Sequence, residues 1–344
     1  MKRRCLCSLL LVALLLLLIP AAVAGSPPHY KLTKTVVLGG EGGWDYLTYE
    51  PATHRLFITR GTHVMVVDTV TWKASADIPD TAGVHGVALA PGRGYTSNGR
   101  EAMSTVFDLT TLKVQEKVKT DEGPDAIVYD PSSGRVFTMN GRANTATAID
   151  AKGGQAPVSI PLGGRPEFAV ADGHGHVFAN IEDKSELVMI DTKKFEVKAR
   201  WPLAPCEEPS GLAIDVKHHR LFAGCHNKMM AVVDDESGKV VATVPIGQGV
   251  DANRFDPGTQ LAFSSNGDGT LTVVHEDSPD KYTVVDNVAT ARGARTMELD
   301  PDTHAIFLVT ADFGPPPAAT TENPHPRPTM LPGSFKLLVV EPEK

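Results

Sequence analysis

Seven residues with chemically useful side chains recur at near-equal intervals along the chain: Asp45, His85, Asp125, Glu167, Ser210, Asp251 and Arg295. Each leads a short apolar segment, and the steps between them are 40, 40, 42, 43, 41 and 44 residues. Brought to one place, four carboxylates would suit a hard divalent cation such as calcium or magnesium, or an organic cation, because such ions prefer oxygen donors. Asp45, Asp125, Glu167 and Asp251 form that set, and Asn140 and Asn266 could add carbonyl oxygens. His85 is the one member able to shuttle a proton near neutral pH or to ligate a softer metal. Arg295, with Arg60, would neutralise part of the negative charge. The bland alternative is that these polar groups simply line a wet channel.

Other chemistries find less support. The chain has no HExxH, CxxC or CxxCH, so no spaced zinc or haem motif is written into it. The segment Asp235-Glu236-Ser237-Gly238-Lys239-Val240 resembles part of a pyrroloquinoline-quinone dehydrogenase repeat but lacks its docking tryptophan, and that cofactor is not expected. No cofactor is expected beyond the divalent cation. Asp68, Asp108, Asp150, Asp191 and Asp234 end one segment in each of five successive repeats. A catalytic group is not needed five times, so they read as turn-formers bonding nearby amides. His218-His219 falls in a turn and reads as solvated. Cys206 and Cys225, 19 residues apart, are the two cysteines outside the N-terminal leader, and in an oxidising compartment they are expected to pair.

The elements that would position these groups are strands. Asp125-AIVYD-PSSG-RVFTMN-GRAN-TATAID shows the grammar best: an alternating strand, a turn, an aromatic strand ending in Asn, a loop, and a third strand ending in Ile-Asp. A fourth strand follows through Val158 to Leu162. No helical spacing of apolar residues persists for three turns, so an all-β chain is expected. Four strands per 40-residue unit, seven times over, is the composition of a seven-bladed β-propeller in one domain, residues 25–344. The seventh repeat reaches only a third strand, Lys336–Val340. The N-terminal segment Thr35–Leu38 is expected to supply the missing one, sealing the ring and hiding an edge. Residues 314–333, with seven prolines, interrupt the last blade as a loop, read either as a lid over the channel or as a tolerated surface insertion.

The repeats, VFTMNGRANTATAID foremost, resemble the YVTN-type β-propeller repeat, and the chain is similar to the exported seven-bladed propellers grouped with YncE over Trp44 to about Thr310. Two departures stand out: blade six ends its third strand in His275 instead of Asp, and blade seven carries the insert. The resemblance implies an architecture and leaves activity open.

Lys2-Arg3-Arg4, the apolar run Leu9–Ile19 and Ala22-Val23-Ala24 read as a signal peptide over residues 1–24, with a periplasmic or secreted product and no membrane span after cleavage. The formal charge is −8, and losing Lys2, Arg3 and Arg4 takes it to −11. That opposes nucleic-acid binding, which relatives of YncE suggest, because phosphate neutralisation needs a basic surface. Two function classes follow. One is a non-enzymatic, monomeric propeller that binds a small ligand or a protein at the channel mouth. The other is a metal-assisted, lactonase-like hydrolase or lyase on the same face, with His85 as general acid or base.

Overall fold

Alternating apolar residues, β-branched and aromatic types, and turn residues every few positions leave the backbone one economical solution: short antiparallel strands joined by tight turns. The computed structural model describes residues 27–318, 320, 326 and 328–343, and the expected signal peptide lies outside them. Twenty-eight strands form seven four-stranded antiparallel sheets, arranged as a seven-bladed propeller. Among the described residues the only helical pieces are two 3₁₀ turns, Pro51–Thr53 and Glu182–Lys184, and no helix is long and apolar enough to cross a membrane.

The core lies between blades. Each second strand carries one aromatic side chain at the same register: Phe57, Tyr95, Phe137, Phe178, Phe222, Phe263 and Phe307, all buried. Phe137 and Ile160 of blade three pack with Val177, Ala179 and Ile181 of blade four, and the same contact is repeated around the ring. Burying each such ring contributes on the order of 2–3 kcal/mol from apolar area alone.

The third-strand aspartates turn the chain as expected. Asp68 accepts from the amides of Val70 (2.9 Å) and Thr71 (2.7 Å), and Asp108, Asp150, Asp191 and Asp234 repeat the pattern. The ring closes through the N-terminal strand. Tyr30–Val37 pairs antiparallel with Lys336–Pro342, from Tyr30 opposite Pro342 to Val37 opposite Lys336. It begins five residues before the expected Thr35, because Tyr30 itself is core: its ring meets Phe263 of blade six edge-on at 5.1 Å. Cys206, in the loop entering blade five, and Cys225, at the end of that blade's second strand, form a disulfide with Cα atoms 5.5 Å apart.

Candidate functional site

A β-bulge sets each channel-lining residue. In blades two to six the ladder between first and second strands shifts register at the lead position, so that Pro124 faces Asn140 while pairing resumes only at Ile127. The same break brackets His85, Glu167, Ser210 and Asp251. A bulge leaves its residue unpaired and re-aims the side chain. Here the lead residues of neighbouring blades come together, Asp45, His85 and Asp125 in one group and Ser210, Asp251 and Arg295 in another. In blades one and seven the same end is reached differently, since Asp45 and Arg295 each precede their first strand by two residues. The two ends of the series touch, because Thr296 Oγ1 donates to the Asp45 carbonyl at 2.9 Å.

The seven residues divide into three groups. On one side, His85 Nδ1 lies 2.7 Å from Asp45 Oδ2 and 3.5 Å from Asp125 Oδ1, and one ligand atom from each residue lies within 4.8 Å of the others. Burial pulls the His85 imidazole down, but the Asp45 hydrogen bond and the charges of Asp125 and Asp45 outweigh it, so the proton is held above the ordinary range. Gly99 makes room for the ring: a Cβ there would stand 2.8 Å from His85 Nε2. On the other side, Arg295 pairs with Asp251 Oδ2, and Ser210 Oγ donates to Asp251 Oδ1 at 3.1 Å. Between them, the Glu167 carboxylate has neither a hydrogen bond nor an ion pair among the described residues. Burial, then Asp125 and Asp251, push its carboxyl well up. Burial also lifts Asp125 to about 6, although His85 opposes the shift.

Tyr46, buried, lies among these carboxylates and meets Phe168 edge-on at 5.0 Å. Below them, a cavity of about 570 Å³ opens towards the opposite face, lined by Leu89, Ile127, Val170 and Ile214, with the Arg254–Glu298 pair (2.7 Å) in its wall.

The structure does not gather all the expected residues. Asp45 and Asp125 come together with His85, whereas Asp251 is engaged by Arg295 and Glu167 stands apart, so the four carboxylates do not form one ligand set. Asn140 and Asn266 turn into their own blades. Asn140 accepts from Thr138 (2.9 Å) and donates to Thr145 (3.1 Å) and Thr147 (2.9 Å), and Asn266 does the same with Ser264, Thr270 and Thr272. Both are buried clamps between strands. Arg60 is also absent from the ring. Its guanidinium lies under the loop Gly39–Gly43, donating to the carbonyls of Gly39 (3.0 Å), Gly42 (3.0 Å) and Gly43 (3.2 Å) and covering the Phe335 ring at 3.6 Å. Burial there lowers it to about 10. Its place at the end of a second strand matched the asparagines, but its long side chain reaches the closure instead.

Sequence reasoning did not find the neighbouring cleft of about 660 Å³, lined by Trp44, Arg292, Arg295, Phe313, Pro316 and Pro328. It lies where the proline-rich insert roots. Gly314 N–H donates to Thr329 O (2.9 Å) and Leu331 N–H to Asp312 O (2.8 Å), which holds the described ends of the insert beside the channel mouth. Phe313 in turn packs on Trp44 at 6.0 Å.

No family model matches the chain, and no curated protein matches it in sequence. Among solved structures, a chain of hydrazine synthase from Kuenenia stuttgartiensis is similar at 17% identity and a TM-score of 0.49, covering 70% of this chain and 97% of that one. A likeness of that degree transfers neither activity nor substrate.

Proposed function

We propose that this propeller is an exported, non-enzymatic binding protein of the YncE-like kind, whose channel mouth takes a small ligand through a cationic group. The observation that carries this reading is Glu167. A carboxylate placed by a bulge in a ring with Asp45, Asp125 and Asp251, and lacking a partner of its own, is electrostatically costly. Two like charges about 6 Å apart in a partly hydrated channel repel by roughly 3 kcal/mol at an effective dielectric near 20. A ligand ammonium seated between Glu167 and Asp125 removes that cost. Arg292 and Arg295, in the adjoining cleft with Trp44 and Phe313, suit an anionic or aromatic remainder of the same ligand. The Cys206–Cys225 bridge and the leader sequence support export.

The second reading, a metal-assisted hydrolase or lyase, rests on Asp45, His85 and Asp125. A cation held by the two carboxylates would leave His85 beside it as the proton carrier.

Thermal melts of the full chain separate the two readings. Tetramethylammonium, arginine and spermidine are the organic probes, and calcium, magnesium and manganese are the inorganic ones. The binding reading expects organic cations to raise the Tm of wild type and to lose that effect in Glu167→Gln. Stabilisation by metals alone, abolished by Asp45→Asn and untouched by Glu167→Gln, would replace it with the metal reading. No response to any probe would reduce the ring to wet lining.

A further inference from the structure

On the face opposite the ring, the turn between first and second strands follows one pattern in several blades. An aspartate ends the first strand, and a hydroxyl two or three residues later satisfies it. Thr259 Oγ1 donates to Asp256 Oδ2 and Thr303 Oγ1 to Asp300 Oδ2, both at 2.7 Å. In blade three, Asp130 takes Ser132 Oγ at 2.8 Å, and a second hydroxyl, Thr192, faces it from blade four. Blade five breaks this pattern twice at one spot. Asp215 ends its first strand, but the residue three later is His218. The residue facing Asp215 from blade six, at the register that holds Thr192 in blade four, is Glu276, immediately after the departure at His275.

These exchanges remove hydroxyl donors and add an imidazole and a second carboxylate. His218 Nδ1 stands 2.6 Å from Asp215 Oδ2 and 3.3 Å from Glu276 Oε1, and one ligand atom from each residue lies within 4.8 Å of the others. These contacts are ion pairs whose angles do not meet hydrogen-bond geometry. Lys217 N–H donates to Asp215 Oδ1 at 3.0 Å, but Asp215 Oδ2, His218 Nδ1 and both oxygens of Glu276 have no hydrogen-bond partner among the described residues. Glu276 is 2% exposed and points into the cluster. Two carboxylates buried against each other with one imidazole between them keep a net negative charge unless a further proton or a cation joins them. Arg220, on the second strand of the same blade, is committed to Asp234 (2.8 Å) and Asp280 (2.9 Å).

We propose that Asp215, His218 and Glu276 form a divalent transition-metal site that ties blade five to blade six. One imidazole nitrogen with two carboxylate oxygens is a donor set for zinc rather than for calcium or magnesium, which favour all-oxygen shells. Zinc bonds near 2.1 Å place tetrahedral ligand atoms roughly 3.4 Å apart, so the His218–Glu276 spacing already fits and the Asp215 contact opens by under about 1 Å. His218 is partly exposed, which leaves the fourth position to water. The site is separate from the channel-mouth ring and does not rest on its ligand.

The test is zinc binding to the full, chelator-stripped chain, read by calorimetry, by metal content after dialysis and by Tm. Wild type should hold one equivalent of zinc that Asp125→Asn retains, with Tm rising by about 5 °C at a hundredfold excess over Kd. The double variant H218S/E276T restores the residue types of the other blades, should fold, and should lose that equivalent. The near-isosteric Glu276→Gln should weaken binding at least tenfold even if the double variant does not fold. Absence of stoichiometric zinc in wild type would overturn the site, as would zinc retained by Glu276→Gln, loss of the equivalent in Asp125→Asn, or preference for calcium.

Discussion

Asp125 and His85 both hold their protons more tightly in the folded chain than in the unfolded one, and the pH dependence of stability should show it. The Asp125 carboxyl is raised to about 6 in the folded chain, mainly by burial. Above its ordinary value of 3.8, therefore, the unfolded chain ionises while the folded chain keeps its proton. The stability held below pH 4 is lost as pH rises to about 6. Asp125→Asn removes this loss. Without ligand, the variant should match wild type near pH 3.5 and exceed it at pH 7 by up to about 3 kcal/mol, less whatever His85 gives up. Urea melts across that range check it, and an equal difference at both pH values would contradict the assignment. His85 has the same sign in a higher window: its raised proton affinity stabilises fully below pH 6.5, and that contribution is lost as pH rises through the folded value. The lead residues were legible because their types recur with the repeat. Their grouping was not, since which carboxylate meets His85 and which meets Arg295 depends on positions around a ring that spacing alone does not resolve. The Asp215–His218–Glu276 cluster was hidden for the same reason. His218-His219 read as a solvated turn until blade six brought Glu276 against it.

At the scale of strands and turns, the repeat fixed the blades well, and errors came where one side chain departs from its repeat. Asn140 and Asn266 looked like mouth residues because their strands end there, yet a short amide at that register finds the hydroxyls of its neighbouring strand first. Arg60, at the same register, is long enough to leave the blade and cap three carbonyls of the Gly39–Gly43 loop. Lysine cannot reproduce that planar fork. Arg60→Lys should cost at least about 2 kcal/mol and loosen the N-terminal closure, seen as faster amide exchange in Tyr30–Val37. The bulges were not visible either, because a register break is a property of two paired strands. The second-strand aromatics were. Truncating one, Phe137→Ala, should cost roughly 3–5 kcal/mol, since its cavity lies between two rigid sheets that cannot collapse. A loss below 1 kcal/mol would mean that the blades pack more loosely than drawn.

For the whole molecule, two covalent or topological ties hold the ring: the Cys206–Cys225 bridge and the shared seventh blade. The bridge closes a short loop, so replacing both cysteines by alanine should lower stability by about 3 kcal/mol without altering the fold. Matched denaturant melts and unchanged far-UV spectra would show it. The shared blade carries a different implication. Tyr30 pairs with Pro342, so the first and last strands are neighbours in one sheet. The polypeptide is then close to a circle with an arbitrary cut. Joining residue 343 to residue 29 by a short linker and opening the chain in the exposed turn Lys152–Gly154 should give a permuted protein with the same blades and the same channel. The natural cut makes the ring of lead residues a late product of synthesis. Asp45 is made early and Arg295 near the end, and they become neighbours only after the last strand exists. A chain stopped before Lys336 has most of its blades and no completed mouth. The permuted chain shifts that moment to a different blade, and the order in which the seven lead residues become protected during refolding would shift with it.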